Sequence, residues 1–351
     1  MSERMDERVL LDWLQYRFPL VPEPYRVVAQ QLGVPVELVL EQVRELSHRA
    51  VLRSIRGFFD AGRLNHASTL VAARVPPANL RTVAARVSAH PGVSHNYARE
   101  HDYNLWFTLT VPASWDMRQS VMVLLDGSDD FLLLPALRVF KIDARFSMSE
   151  NRARFASEAV PSARRATTFE LDDLDRRAVR ALNRPLPVVG RPFAELATQL
   201  ELAESELLER AHVFLERRIM RRYGAVLNHR LAGFTANGMT GWAVPPQDIT
   251  TVGHAFAAMP EVSHCYERPT HPHWPYNLFT MIHGASRGYV DEVVARMSRA
   301  SGLREYAILY STEEFKKEPV AYFDPAMDLA IASCEEGRAW TSDCETENGS
   351  V

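Results

Sequence analysis

Hydrophobic positions along this chain follow one programme, and they follow it twice. Apolar residues recur at spacings of three and four over 9–16, 171–182, 36–49 and 203–217, which predicts amphipathic helices. Between the first and third helix of each set, Pro24 and Pro192 open a further helix, a residue suited to the first helical position. A short apolar hairpin is expected after each third helix, giving a winged helix-turn-helix. Short apolar or alternating runs then predict strands at 69–75 and 239–244, and helices at 80–89 and 248–258. Further strands fall at 93–97 with 105–111, and at 262–266 with 278–283. A helix at 117–125 or 289–298 and a last strand at 137–142 or 306–310 close each set. The order βαββαβ is the ferredoxin-like split, with two helices on one face of an antiparallel sheet and the other face left for a partner copy or a ligand. The fold class is α+β: a tandem repeat of winged helix plus ferredoxin-like domain.

Residue matches support the repeat. Pro19 pairs with Pro187, Leu32 with Leu200 and Arg53 with Arg221, all 168 residues apart. Pro91 pairs with Pro260, His95 with His264, Tyr97 with Tyr266 and Arg99 with Arg268, 169 apart; after four extra residues around THPHW, Asn104 pairs with Asn277 at 173. These matches divide the chain into a first winged-helix domain at 1–56 and ferredoxin-like domain at 57–147, then a polar linker at 148–168. The second winged-helix domain covers 169–224 and its ferredoxin-like domain 225–329, before an acidic tail at 330–351. The two copies in one chain form a pseudo-dimer, and the sequence leaves further homo-oligomerisation open.

Composition narrows the function classes. Hydrophobic residues make up 46% and charged residues 24%, ordinary for a globular protein, while a net charge of −4 argues against general nucleic-acid binding. No apolar run approaches a membrane span, and the N-terminus has no apolar signal core, so the cytoplasm is expected. Cys265, Cys334 and Cys344 form no CxxC pair, which supports neither a zinc site nor a disulfide framework; Cys265 reads as a small filler in a strand. The third helices present Glu37, Glu41 and Glu45, and Glu204, Glu206 and Glu209, which would repel a nucleic-acid backbone; Arg44 and Arg210 do not outweigh them. DNA binding is therefore the minority reading.

The chemistry concentrates between Met220 and His283. RRYGAVLNHRLAGF and EVSHCYERPTHPHWPYNLFTMIHG hold His229, His264, His271, His273 and His283 with Arg221, Arg222, Arg230, Arg268, Tyr266, Trp274 and Tyr276. Aromatic, imidazole and guanidinium groups together suit a flat, anionic, aromatic ligand, stacked on its faces and forked at its carboxylates.

These segments, with ILYSTEEFKKEPVAYF, resemble the B-type subunit of siroheme decarboxylase, and VSHNYAREHDYNLWFTL with LRVFKID resembles the A-type subunit. The winged helix followed by βαββαβ resembles the wider Lrp/AsnC family. The resemblance runs from about residue 8 to 325 and implies a fused A–B siroheme decarboxylase, as found in heme d1 and siroheme-dependent heme biosynthesis. It implies loss of the C12 and C18 acetate carboxyl groups, giving 12,18-didecarboxysiroheme and carbon dioxide. The A half departs at Asn65 and His66, where the family carries a Gly-Tyr-like pair.

Removing an acetate carboxyl leaves a carbanion-like carbon that the conjugated ring can delocalise. No added cofactor is then required, and the iron enters with the substrate; the sequence does not select an axial histidine for it. The protein must orient and desolvate a carboxylate and protonate carbon. His101 and His229 break the repeat's symmetry and are the leading catalytic candidates, with His264 third. Arg53, Arg56, Arg221, Arg222 and Arg230 are expected to clamp carboxylates, and His95, Tyr97, Trp106, Tyr266, Arg268, Trp274 and Tyr276 to line the pocket. His271 and His273 belong to a rim and His283 to the scaffold. The second copy's cluster is expected to be half a site, completed by the first copy's EHDYNLW. The alternatives are a tetrapyrrole-responsive DNA-binding regulator and a carrier that holds the ring for another enzyme.

Overall fold

The computed structural model describes residues 6–142, 169–228 and 236–327. The expected linker at 148–168, the tail at 330–351, Cys334, Cys344, His229 and Arg230 lie outside the described residues. The first copy contains α1 (Glu7–Tyr16), α2 (Pro24–Leu32), α3 (Val36–His48), β1 (Leu52–Phe59), β2 (His66–Ala73), α4 (Leu80–Ala89), β3 (Val93–Arg99), β4 (Leu105–Pro112), α5 (Met117–Leu124), β5 (Phe131–Leu134) and β6 (Arg138–Ile142). The second contains α6 (Asp173–Asn183), α7 (Pro192–Thr198), α8 (Glu204–Glu216), β7 (Met220–Leu227), β8 (Ala236–Trp242), α9 (Ile249–Ala258), β9 (Val262–Glu267), β10 (Leu278–Gly284), α10 (Arg287–Ser301) and β11 (Tyr306–Lys317).

Local chemistry sets the helix ends. Asp6 caps α1 by accepting the Arg8 N–H at 2.9 Å, and Asp172 closes a capping box with Asp175 at the start of α6. Pro24 and Pro192 stand in the first turns of α2 and α7, as the sequence predicts. Gly33 ends α2 at φ 68°, a left-handed conformation that glycine adopts without a Cβ penalty.

Contacts divide the chain into two units: Met1–Leu64 with Leu137–Ile308, and Asn65–Ala136 with Leu309–Val351. The first holds both winged helices and the second copy's sheet. Here the expected wing hairpin is corrected. β1 pairs antiparallel with β7 of the other copy, Ile55 opposite Ala225 and Phe58 opposite Arg222. A two-residue hairpin needs a tight turn sequence after β1, and the chain offers Asp60 to Leu64 instead; the two wings satisfy each other's backbone groups. Tyr25 Oη donating to the Pro187 carbonyl and Leu186 N–H donating to the Ile55 carbonyl also join the two winged helices.

The second unit holds the first copy's sheet in the order β5, β2, β4, β3, with α4 and α5 against one face. Val71, Val87, Leu105, Phe107, Leu109 and Val121 fill the space between sheet and helices. The closing strand is a second correction. Phe131–Leu134 pairs with β2 and is the fourth ferredoxin-like strand, whereas the strand expected at 137–142 leaves the copy and pairs with β9 in the first unit. Reciprocally, β11 runs past the expected end at residue 310 to Lys317, and its later part pairs with β3.

Each exchanged strand carries a lysine to the same place. Lys141 Nζ donates to the Met259 carbonyl at 2.9 Å just after α9, and Lys316 Nζ donates to the Ser88 and His90 carbonyls at 2.7 and 3.1 Å at the end of α4. A cation on the last carbonyls of a helix contributes about 0.3–1 kcal/mol, more when partly buried. His90 is buried, and its Nδ1 accepts the Gly92 N–H at 3.0 Å. Burial, and then the Lys316 cation, push its pKa down from 6.5 to about 4. Between these values the unfolded chain holds a proton that the folded chain does not, so stability is complete above pH 6.5 and falls as pH drops toward 4. The shift corresponds to about 3 kcal/mol. Chemical denaturation across this range should show that loss in the wild type and a flatter profile in His90→Gln.

Candidate functional site

On β9, Cys265 points to the helix side, with its Sγ 3.7 Å from the Gly253 carbonyl of α9. Alternation then puts His264, Tyr266 and, just beyond the strand, Arg268 on the opposite face. His264 stacks on Tyr266 with ring centroids 6.0 Å apart, and the Arg268 guanidinium lies 5.0 Å over Tyr266 and 5.6 Å from the Phe279 ring. Trp274 is buried; it stacks on Phe279 at 6.4 Å and meets Tyr276 edge-on at 4.9 Å. Tyr276 lies across Gly241, where an added Cβ would stand 3.0 Å from the tyrosine Cβ. The aromatic wall therefore depends on a missing side chain in β8.

The proton positions on this face follow from the hydrogen bonds. Ser263 Oγ donates to the Met281 carbonyl at 3.1 Å, so it accepts from His264 Nδ1 at 3.0 Å. The neutral His264 ring consequently carries its proton on Nδ1 and its lone pair on Nε2. Desolvation holds the Arg268 pKa down at about 10, which still leaves a full cation at neutral pH. Burial raises the Tyr266 pKa against the opposing pull of Arg268 and Arg221, so its hydroxyl remains a donor.

Arg221 belongs to the β1–β7 ribbon of the same unit. Arg221 Nη2 donates to the Phe59 carbonyl at 3.0 Å. Arg222 and Arg56 flank the Phe58 ring, with guanidinium carbons 3.5 and 4.7 Å from its centroid. Arg53 lies at the start of β1 on the same ribbon. Several guanidinium groups on one two-stranded ribbon make a basic surface suited to carboxylates.

The second unit repeats the row on β3. His95 Nδ1 lies 2.9 Å from Ser94 Oγ and the ring stacks on Tyr97 at 6.3 Å, with the Arg99 guanidinium 5.5 Å over Tyr97. Asn104 and Asn277 each hold a strand end by two backbone bonds, to Val75 and to Val244. Arg99 donates Nη1 to the Leu309 carbonyl at 2.6 Å, and the buried Trp106 donates Nε1 to the Tyr103 carbonyl at 2.6 Å. His101 is exposed, stacks on Tyr103 at 6.1 Å and accepts the Tyr103 N–H on Nδ1 at 3.0 Å. Its neutral ring therefore carries the proton on Nε2. Partial desolvation of the ring lowers its pKa, Asp102 opposes and Arg74 adds to the lowering.

The structure thus gathers Arg53, Arg56, Arg221, Arg222, His264, Tyr266, Arg268, Trp274 and Tyr276 in one unit, and His95, Tyr97, His101 and Trp106 in the other. His271 bridges to Trp274, beside an exposed His273, and His283 pairs with Asn237 near the end of β10. His66 is buried at the head of β2, edge-on to Tyr322 and Phe323 at 5.2 and 5.3 Å. Sequence reasoning missed two groups. Arg99 was visible as the twin of Arg268, and Phe58 becomes a platform only once Arg222 is brought opposite it.

Paired winged helices joined to ferredoxin-like sheets, with a basic and aromatic face, define a ligand-binding protein of the AsnC-like class. The AsnC-like ligand binding domain matches residues 65–141 and 231–316, and the siroheme decarboxylase NirDL-like HTH domain matches 7–53 and 175–221. The siroheme decarboxylase of Hydrogenobacter thermophilus is 38% identical over 317 residues, 90% of this chain and 94% of that protein. The siroheme decarboxylase NirDL subunit of Paracoccus denitrificans is 34% identical over 88% of this chain and 94% of its own length. The crystal structure of the siroheme decarboxylase NirDL superposes with a TM-score of 0.73 at 34% identity, covering 94% of this chain and all of that one. A second NirDL crystal structure, in co-complex with an iron-uroporphyrin III analogue, gives the same TM-score at 33% identity, covering 94% of this chain and 98% of that one. The chain belongs to the siroheme decarboxylase family.

Burial pushes the Cys265 thiol up to about 12 beside its bond to Gly253, the behaviour of a strand filler and not of a nucleophile. Iodoacetamide at pH 8 should leave Cys265 unmodified in folded protein and alkylate it in denaturant, as read by peptide mass spectrometry.

Proposed function

We propose that this chain is a siroheme decarboxylase, a carboxy-lyase that removes the C12 and C18 acetate carboxyl groups and yields 12,18-didecarboxysiroheme and carbon dioxide. The observation that carries the reading is similarity to siroheme decarboxylases over about nine-tenths of the chain, including the Ser-His-x-Tyr-x-Arg row in both copies. In each half-reaction the bond between methylene and carboxylate breaks, carbon dioxide leaves, and the electron pair stays on carbon, spread into the macrocycle. One proton then converts that carbon to a methyl group. The siroheme iron is part of the substrate, and no added cofactor takes part.

Guanidinium groups at Arg56, Arg221, Arg222 and Arg268 hold the carboxylates that remain, with Arg53 and Arg230 as further clamps. Tyr266, Trp274 and Tyr276 supply flat or edge contacts to the ring, and His95, Tyr97 and Trp106 are their first-copy counterparts. His101, His229 and His264 move the protons. Protonating His101 at Nδ1 sacrifices its bond from the Tyr103 N–H, which makes its imidazolium a stronger acid than free imidazole. His264, with its lone pair on Nε2, is set to accept. The protein works in the cytoplasm without engaging DNA; among the described residues no helix is long and apolar enough to cross a membrane. Arg44 and Arg210 are occupied by the Val188 carbonyl and by Asp172 with Asp175, which supports a scaffold role for the winged helices.

Incubating the purified chain with siroheme without air, reductant or cofactor should produce a species lighter by two carbon dioxides in mass spectrometry; unchanged siroheme under varied conditions refutes the proposal. His101→Ala and His229→Ala should lower turnover by about a hundredfold or more while changing siroheme affinity little, as removal of a proton-transfer group does. Equal losses in both would make these residues binders.

A further inference from the structure

The strands that carry the His-Tyr-Arg row are irregular at the same place in both copies. Pairing of β9 with β10 passes from Met281 opposite His264 to Ile282 opposite Val262, so Ser263 is an extra residue with no partner in register. Pairing of β3 with β4 passes from Thr108 opposite His95 to Leu109 opposite Val93, which leaves Ser94 in the same position. Each is a β-bulge whose extra residue is a serine standing immediately before the histidine. On a regular strand, neighbouring side chains point to opposite faces. The bulge breaks that alternation: Ser263 Oγ lies 3.0 Å from His264 Nδ1, and Ser94 Oγ lies 2.9 Å from His95 Nδ1.

In the second copy the contact has a direction. Ser263 is buried at 9% exposure, and its single hydroxyl proton goes to the carbonyl of Met281, the residue directly opposite His264. What the Oγ atom has left to offer is an acceptor. Nδ1 therefore keeps its proton in the neutral ring and in the imidazolium alike, and proton uptake and release occur at Nε2 alone. In the proposed reaction, carbon dioxide leaves and its bonding electron pair stays on the methylene carbon. That pair takes the Nε2 proton, so an N–H bond breaks as the C–H bond of the methyl group forms. The ring returns to its Nδ1–H tautomer, and solvent restores the Nε2 proton.

We infer that Ser263 is a positioning residue for decarboxylation: as the extra residue of a β-bulge, it fixes the His264 tautomer and confines its proton exchange to Nε2. The inference rests on the proposed siroheme chemistry and on His264 as one of its proton-transfer groups. Ser263 acts through His264, so its removal changes how the proton moves and leaves the guanidinium and aromatic contacts to the ring in place.

The test compares the full chain with Ser263→Ala and Ser263→Thr by nitrogen NMR of isotope-labelled histidines at about pH 8, where the rings are neutral. His264 is identified by the signal missing from His264→Gln. Wild type and Ser263→Thr should show the Nδ1–H tautomer, and Ser263→Ala should move toward Nε2–H. With siroheme, Ser263→Ala should lower kcat by about tenfold or more with KM within about threefold of wild type, and Ser263→Thr should keep kcat within about threefold. An Nε2–H tautomer in the wild type, an unchanged tautomer in Ser263→Ala, or a kcat there within about threefold of wild type would each overturn the inference. So would equal kcat losses in the two variants while Ser263→Thr retains the Nδ1–H tautomer. A wild type that leaves siroheme unchanged would remove the functional reading and this inference with it, whatever the tautomers.

Discussion

Backbone pairing between the two copies is the constraint on which the rest of this protein depends. An unpaired strand edge is costly to leave exposed, and each ferredoxin-like sheet has one at the strand bearing the His-Tyr-Arg row. The chain closes these edges reciprocally, β6 on β9 and the later part of β11 on β3. The wings do likewise, pairing β1 with β7 along eight-residue strands. A lysine in each exchanged strand then caps the helix preceding the row, so strand exchange and helix termination are linked. Fusion of two copies into one chain gives this exchange a high effective concentration.

The same exchange governs the chemistry beside the row. Whatever stands next to Tyr266 comes from the first copy, and whatever stands next to Tyr97 comes from the second. Copies of one ancestral pattern can thus keep identical rows and still present different surfaces. Electrostatics does the rest: Arg268 remains charged despite desolvation, and Tyr266 remains protonated despite two arginines. A cationic, hydrogen-bond-donating face is what an aromatic polyacid requires. In the winged helices the third-helix arginines Arg44 and Arg210 are committed to internal partners, whereas the ribbon gathers Arg56 and Arg222 about Phe58.

The linear pattern was enough to identify the tandem repeat, the helix starts at Pro24 and Pro192, and the βαββαβ order, because period and capping are local properties. It was also enough to single out Tyr266, Arg268, Trp274 and Tyr276 as candidates, since their density in one segment needs no fold to be noticed, and the fold brings their side chains together around Phe279. Pairing partners were another matter. The segment at 137–142 reads as the last strand of its own copy, because alternation reveals a strand and is silent about its neighbour. The wing likewise reads as a hairpin, and Phe131–Leu134 escapes notice as too short a run.

Sequence alone thus determined the element types, their duplication, the residue chemistry and the family resemblance, all of which depend on composition and spacing within a few turns or one strand. Tertiary structure decided which strand lies beside which, and with it the Phe58 platform between Arg56 and Arg222, the tautomers of His101 and His264, and the opposition of Val139 and Glu314 to twin tyrosines. The physical reason is that backbone hydrogen bonds between strands are made by groups common to every residue, so partner choice is written in long-range packing and not in the local sequence.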